Sequence, residues 1–296
     1  MSKFRYCDAC GNQDENSLKR VYQVDGYDVL KCKVCGFVYV NNPALTKVCS
    51  ELFQDAGTVE THHRYRDVLM AVGESHCKDF QKLSIEKGSS ILDFGCGNGY
   101  FLSIAQSHGM KVLGLEINKA AAEYGRQELG VDIIAEPPPY PSLTGKKFDV
   151  ITMWGVIEHL PKPSLVLKLL RSHMHEDSWL IIQTPSEDAL VRRAVHLLNR
   201  ILRKQWLTSS MYQSNTGTHT QCFNRKSIRI LLGRLRFQIR EIEDATYGFR
   251  YMVKKPGLMG GGLKVRLKRA IALAGFMLSF VGHKNHMVVY AKLRKI

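Results

Sequence analysis

The run ILDFGCGNGYF, residues 91–101, constrains this chain more than any other stretch. A short apolar strand reaches Asp93, and Gly95, Gly97 and Gly99 follow before a helical pattern begins. Glycines so spaced permit a tight bend whose backbone can approach a ligand with no side chain between. Reading G-x-G-x-x-G from Gly95 puts Tyr100 where the last glycine of the dinucleotide fingerprint belongs, so that motif is not matched. A glycine bend by itself also serves purely structural turns. The next strand, KVLGLEI, adds a second feature: Glu116 at its end, 19 residues beyond Gly97. There a carboxylate can accept both hydrogen bonds from a ribose diol.

From Ser89 onward, strand-like and helix-like segments alternate for about 100 residues: SILDFG, YFLSIAQSHG, KVLGLEI, KAAAEYGRQELG, VDIIAE, FDVITMW, SLVLKLLRSHM and SWLIIQT. Such alternation predicts a parallel sheet with helices on both faces. It breaks after Pro185, resumes with RKSIRILLGRL and FQIREIE, and closes with the strand HMVVYAKL. Three parts are expected: residues 1–45, a cysteine-rich module; 46–87, a helical connector or lid; and 88–296, the α/β domain. Segments 186–224 and 246–283 read as insertions on its substrate side.

The strand-D-x-G-x-G-x-G bend, the acidic strand end and FDVITMWGVIEHLPKP together resemble class I S-adenosylmethionine-dependent methyltransferases, in particular bacterial enzymes that modify glycans and small metabolites. The likeness covers about residues 86–245 and the final strand. It implies a Rossmann-like seven-stranded sheet in the order 3-2-1-4-5-7-6 with the last strand antiparallel. It also implies that Asp93, Gly95, Cys96, Gly97 and Gly99 form the cofactor bend, with Asp93, Gly95 and Gly97 holding the methionine moiety and Glu116 the ribose. Ile117 and Glu136 would border the adenine, and Met153 and Trp154 would line the cofactor floor.

In open α/β sheets, ligands bind beyond the carboxyl ends of the strands, which points to MWGVIEHLPKP, residues 153–163, as the acceptor side. His159 has the pKa range of a general base near neutral pH, while Glu158 and His159 could equally fix the loop through hydrogen bonds. His219, in THTQCF, is a second candidate base, or a capping or core residue. Ubiquinone-biosynthesis O-methyltransferases are similar here and hold a divalent metal through Glu-x-x-Glu-His. Gly155 replaces the first of those glutamates, and no magnesium site is expected.

Cys7-x2-Cys10 and Cys32-x2-Cys35 are two knuckles, each followed by a glycine, Gly11 or Gly36. Four thiolates at this spacing predict a closed, structural Zn2+ site, a zinc ribbon, rather than a redox pair or a disulfide framework. The opening MSKFRYCDAC shows no charged-then-apolar leader, and a cytoplasmic protein is expected.

Charge is uneven. Of the net +15, residues 186–269 carry most, with 18 Lys and Arg against 5 Asp and Glu. An anionic partner for this third is expected, with general solubility the alternative. Segments 189–206 and 264–282 combine apolar helical spacing with cations. They read either as surface helices on an anionic membrane or as core helices with a solvated basic face. The leading function is O-methylation of a sugar or lipid-linked glycan intermediate. RNA methylation is a second reading, disfavoured because the cations accompany apolar faces rather than aromatic stacking platforms. A non-catalytic cofactor-binding module is the third.

Overall fold

A computed structural model describes residues 6–24, 26–41, 57–202, 219–246, 273, 277 and 283–294. The first quarter or so of the connector (46–56), the middle of the insertion at 186–224 and nearly all of that at 246–283 lie outside the described residues.

The α/β alternation read from the sequence is present. Strands β4 (Ser90–Phe94), β5 (Lys111–Glu116) and β6 (Ile133–Ala135) are parallel, and β4 also pairs in parallel with β7 (Phe148–Trp154). Next come β8 (Met174–Pro185), β11 (His286–Leu293) and β10 (Phe237–Ala245), with β11 antiparallel to both of its neighbours. Numbered along the domain, this seven-stranded sheet has the expected order 3-2-1-4-5-7-6.

Local chemistry sets the element boundaries. Helix α3 (Tyr100–Ser107) starts at Gly99, whose left-handed φ of 80° ends the bend. The Asn118 side chain caps α4 (Lys119–Leu129) by accepting from Ala121 N–H, and Gly130 closes it in the left-handed region. Pro163 opens α5 (Pro163–Ser172) at the position where a missing N–H costs nothing. Asn224 and Ser227 form a reciprocal capping box on α7 (Arg225–Arg234).

The sheet separates two apolar layers. On one face α5 and α7 bury Leu167, Leu170, Ile228, Leu231 and Leu232 against Leu92, Ile151, Leu180 and Ile182. On the other, α2 (Arg66–Lys82) and α3 bury Phe80, Phe101 and Ile104 against Ile91, Val150 and Ile181. Each such fully buried side chain contributes about 1.5–3 kcal/mol over its exposed state. One long helical run is expected over 63–83. It divides at Tyr65 into α1 (Gly57–Arg64) and α2.

The N-terminal module is an antiparallel ribbon of β1 (Leu18–Val24), β2 (Tyr27–Cys32) and β3 (Val38–Asn41). Its sheet gains a fourth strand, β9 (Gln221–Cys222), from beyond α6 (Leu190–Leu202) of the α/β domain. The Phe37 and Phe223 rings pack at a tilt with centroids 4.8 Å apart, and Cys7, Cys32, Cys35 and Phe37 belong to the same apolar layer as Leu92 and Ile151. Module and domain share one core.

Candidate active site

The bend after β4 carries a bound carboxylate. Glu116 Oε2 accepts the N–H of Gly97 at 2.8 Å, and its Oε1 accepts the N–H of Asn118 at 2.8 Å. Burial pushes the Glu116 carboxyl up, while the amides of Asn118, Gly97 and Ile117 pull it back. With about four lone-pair sites, the carboxylate retains accepting capacity beyond these amides. Asp93, 2% exposed at the end of β4, accepts from Thr152 Oγ1 at 2.7 Å. Burial raises it to about 7, with the Thr152 bond opposing.

Backbone conformation explains two of the glycines. Gly95 has φ 76°, and a Cβ there would lie 2.7 Å from Val156 of the loop after β7. Gly97 has φ 55°, and a Cβ there would lie 2.8 Å from the His62 ring on α1. Helix α1 therefore closes over the bend, and Asn98 Nδ2 donates to Val59 O at 3.3 Å. Burial lowers the pKa of His62, and a bond to Asn98 opposes it.

The other sequence-predicted cofactor residues fall at varied depths. The Cys96 sulfur points toward β5, 2.5 Å from where a Cβ on Gly114 would be, and packs among Leu102 and Ile133. Ile117 is half-buried beside Glu116. Glu136 is held by the proline loop: its two oxygens accept from Ser142 N–H (3.1 Å) and Oγ (2.9 Å). Met153 is fully buried in the sheet core. Trp154 stacks on His76 of α2, centroids 3.6 Å apart, and its Nε1–H has no hydrogen-bond partner. Burial drops His76 to about 4, so a neutral imidazole faces the indole.

The acceptor-side candidates converge. Glu158 and His159 occupy a single 3-10 turn (Ile157–His159), and His219 approaches from the segment before β9. The His219 N–H donates to His159 Nδ1 at 3.4 Å, the two rings lie 5.4 Å apart, and His219 holds a left-handed φ of 52°. Glu158 is buried and accepts from Thr184 Oγ1 at 3.0 Å; Thr220 Oγ1 donates to its backbone carbonyl at 3.3 Å. Burial raises the Glu158 carboxyl and His159 opposes the rise. Ligand atoms of Glu158, His159 and His219 all lie within 4.8 Å of one another, so the structure adds a third potential metal ligand to the pair read from the sequence. One Glu158 oxygen accepts from Thr184 and His159 Nδ1 accepts from the backbone N–H of His219, so both side chains are held in place by the segments around them.

Cys7 and Cys35 sulfurs are 3.6 Å apart, Cys10 and Cys32 sulfurs 3.7 Å, and all four lie within 4.8 Å of one another. A tetrahedral zinc with about 2.3 Å bonds separates its thiolates by about 3.8 Å, which these spacings fit. The hydrogen bond from Cys7 holds Cys35 down to about 5 and drives Cys7 far up. Four such thiols can ionise together only around a cation.

Sequence reasoning missed His62, Asn98, Thr152 and Thr184, which secure the bend and the acidic side chains. Asn98 stands inside the glycine run and was the one with a visible signal; the rest depend on tertiary contacts.

The sheet order, the bend and the acidic strand end define the fold of S-adenosylmethionine-dependent methyltransferases. Solved structures agree: one such methyltransferase from Archaeoglobus fulgidus superposes with a TM-score of 0.52 at 19% identity, covering 80% of this chain and 100% of that one. The magnesium protoporphyrin IX methyltransferase from Synechocystis PCC 6803, with bound SAH, gives 0.54 at 15% identity, covering 84% and 100%. Residues 62–242 match the family model of a methyltransferase domain, and the chain belongs to that family. Among curated relatives, a ubiquinone biosynthesis O-methyltransferase of Paraburkholderia xenovorans is 27% identical over 103 residues, 33% of this chain and 44% of that protein. A probable (S)-tetrahydroprotoberberine N-methyltransferase 2 of Papaver bracteatum is 35% identical over 129 residues, 40% and 36% respectively. The chain thus spans about half or less of the curated relatives it matches.

Proposed function

We propose that the protein transfers the methyl group of S-adenosylmethionine to a hydroxyl of a sugar or lipid-linked glycan intermediate, with the four cysteines holding a structural zinc. The observation that carries the reading is Glu116, bound to Gly97 yet with accepting capacity left on its carboxylate, beside a glycine bend and on the same sheet as the strand that leads to His159. Glu116 grips the ribose hydroxyls, Asp93 and the bend orient the methionine end, and Trp154 borders the floor. The cofactor supplies an electrophilic sulfonium methyl. His159 or His219 accepts the acceptor's proton as its oxygen bonds the methyl carbon; the carbon–sulfur bond breaks and S-adenosylhomocysteine leaves. Alignment supplies much of the acceleration, about 7–11 kcal/mol in favourable cases, so His159→Ala should retain appreciable activity. An imidazole pair suits a hydroxyl acceptor, whose proton must leave.

Helix α6 supports the lipid-linked version. Leu197, Leu198 and Ile201 are 57%, 51% and 65% exposed, and Arg193 and Arg200 are exposed on the same helix. Apolar side chains flanked by cations suit the surface of an anionic membrane. The companion basic segment at 264–282 lies almost wholly outside the described residues, and among these no helix is long and apolar enough to cross a membrane. RNA methylation is the second reading, supported by the basic C-terminal third. Salt-sensitive retention of RNA on filters would favour it. Incubation with methyl-labelled donor and fractionated extracts tests the main proposal. Label should appear in a glycan or glycolipid; label confined to RNA, or to nothing, would refute it.

A further inference from the structure

The cysteine module touches both segments that carry the acceptor-side histidines, through the knuckle turns themselves. Asp8 sits between Cys7 and Cys10. Its Oδ2 accepts from Ser164 N–H at 2.8 Å and its Oδ1 from Ser164 Oγ at 2.6 Å. It thereby caps α5, whose own N-cap Lys162 makes no side-chain cap bond. Helix α5 begins four residues after His159.

The second knuckle and β3 hold the other histidine. Val40 N–H donates to the carbonyl of Thr220, the residue after His219, and Val38 and Tyr39 pair with Cys222 and Gln221. Knuckle carbonyls then grip α7: Asn224 Nδ2 donates to Cys35 O (3.3 Å), Lys226 Nζ to Val34 O (2.6 Å), and Arg234 Nη1 to Asp8 O (3.0 Å) and Ala9 O (2.9 Å). A Cβ on Gly36 would lie 2.5 Å from Asn224, so the fit is close. His219 itself has a left-handed φ of 52°, a conformation uncommon among non-glycine residues.

We infer that the cysteine centre is a positioning device for the acceptor side: the loaded knuckles, through Asp8 and β3, set the relation between His159 and His219. The inference rests on reading the four cysteines as a metal centre and the two histidines as acceptor-side groups. Asp8 and Thr220 are positioning residues, since each acts through a histidine-bearing segment. The glycine bend and Glu116 receive none of the knuckle bonds described above, so cofactor binding should be separable from the effect.

The test uses the full chain. Amide hydrogen exchange over 157–165 and 219–224 and the imidazole nuclear magnetic resonance signals of both histidines are compared in zinc-loaded wild type, in chelated wild type, and in loaded Asp8→Ala and Asp8→Asn. Calorimetry with S-adenosylhomocysteine accompanies each. Asp8→Ala should raise exchange at residues 164 and 165 about fivefold, the effect of a lost cap, and shift the His159 signals. Asp8→Asn, which keeps an acceptor for Ser164 N–H, should restore most of both. Affinity for S-adenosylhomocysteine should stay within twofold. Unchanged exchange and unchanged imidazole signals in Asp8→Ala would overturn the inference. So would their change with no rescue by Asp8→Asn. If chelation unfolds the whole chain, the Asp8 pair, which keeps all four cysteines, decides the question. Wild type that fails to bind S-adenosylhomocysteine would instead refute the methyltransferase reading, a separate outcome.

Discussion

Glu116 accepts the amide hydrogen of Gly97 at 2.8 Å, tying the end of one core strand to the bend after its neighbour. The bond needs the left-handed backbone at Gly97, whose φ is 55°, and a carboxylate at the carboxyl end of β5. Strand, glycine bend and acid thus form one unit. The fold places that unit where open α/β sheets take their ligands.

Asp93 should give stability a particular pH dependence. Its folded pKa, about 7, lies above the unperturbed 3.8 because of burial. Between roughly pH 4 and 7 the folded protein therefore keeps a proton that the unfolded chain releases. The contribution is fully present below the lower value and is lost as pH rises to the higher one. Asp93→Asn removes this decline, so relative to wild type it should gain stability from pH 5 to pH 8, by at most about 2.7 kcal/mol. Thermal unfolding at both values checks this; an identical difference at the two pH values would contradict it.

The four cysteines should carry one zinc per chain after reducing purification. Cys32→Ser should lose most of the metal and lower the melting temperature, because a structural zinc contributes directly to folding. Elemental analysis beside a thermal melt is sufficient, and far less than one metal per chain in wild type would reject the site.

Arg192 and Glu187 form an ion pair at 2.9 Å with side chains 10% and 6% exposed. Arg192→Ala removes the 2.9 Å partner of a buried carboxylate that also meets His196 at 3.3 Å. Loss of about 3–5 kcal/mol is expected by denaturant titration. Arg192→Lys should recover part of it. A loss below about 1 kcal/mol would show that water reaches Glu187.

Helix α6 should bring the protein to anionic vesicles at low salt. A triple change, Leu197→Ser, Leu198→Ser and Ile201→Ser, should reduce co-sedimentation at least tenfold while preserving the fold by circular dichroism. Equal sedimentation of variant and wild type would remove the membrane contact.

The sheet was legible because each of its elements carries a local signal: SILDF and FDVITMW are short apolar runs, and KAAAEYGRQELG ends on the glycine its cap requires. The glycine bend was legible for the same reason, since Gly95 to Gly99 lie within one short run. The break at Tyr65 was not, because the apolar spacing continues through it. Nor was the union of β3 with β9, which joins residues about 180 apart through two short pairings. Asp8 reads in sequence as a polar residue inside a metal knuckle; only the fold brings Ser164 to it. His159 and His219 were each visible as candidates, but their meeting depends on that same ribbon contact.

Calorimetric titration of wild type and Glu116→Ala with S-adenosylhomocysteine tests the central claim most directly. Wild type should bind, and the alanine variant should bind at least tenfold more weakly while keeping its fold. Equal affinity in the two proteins, or no binding by wild type, would contradict the account.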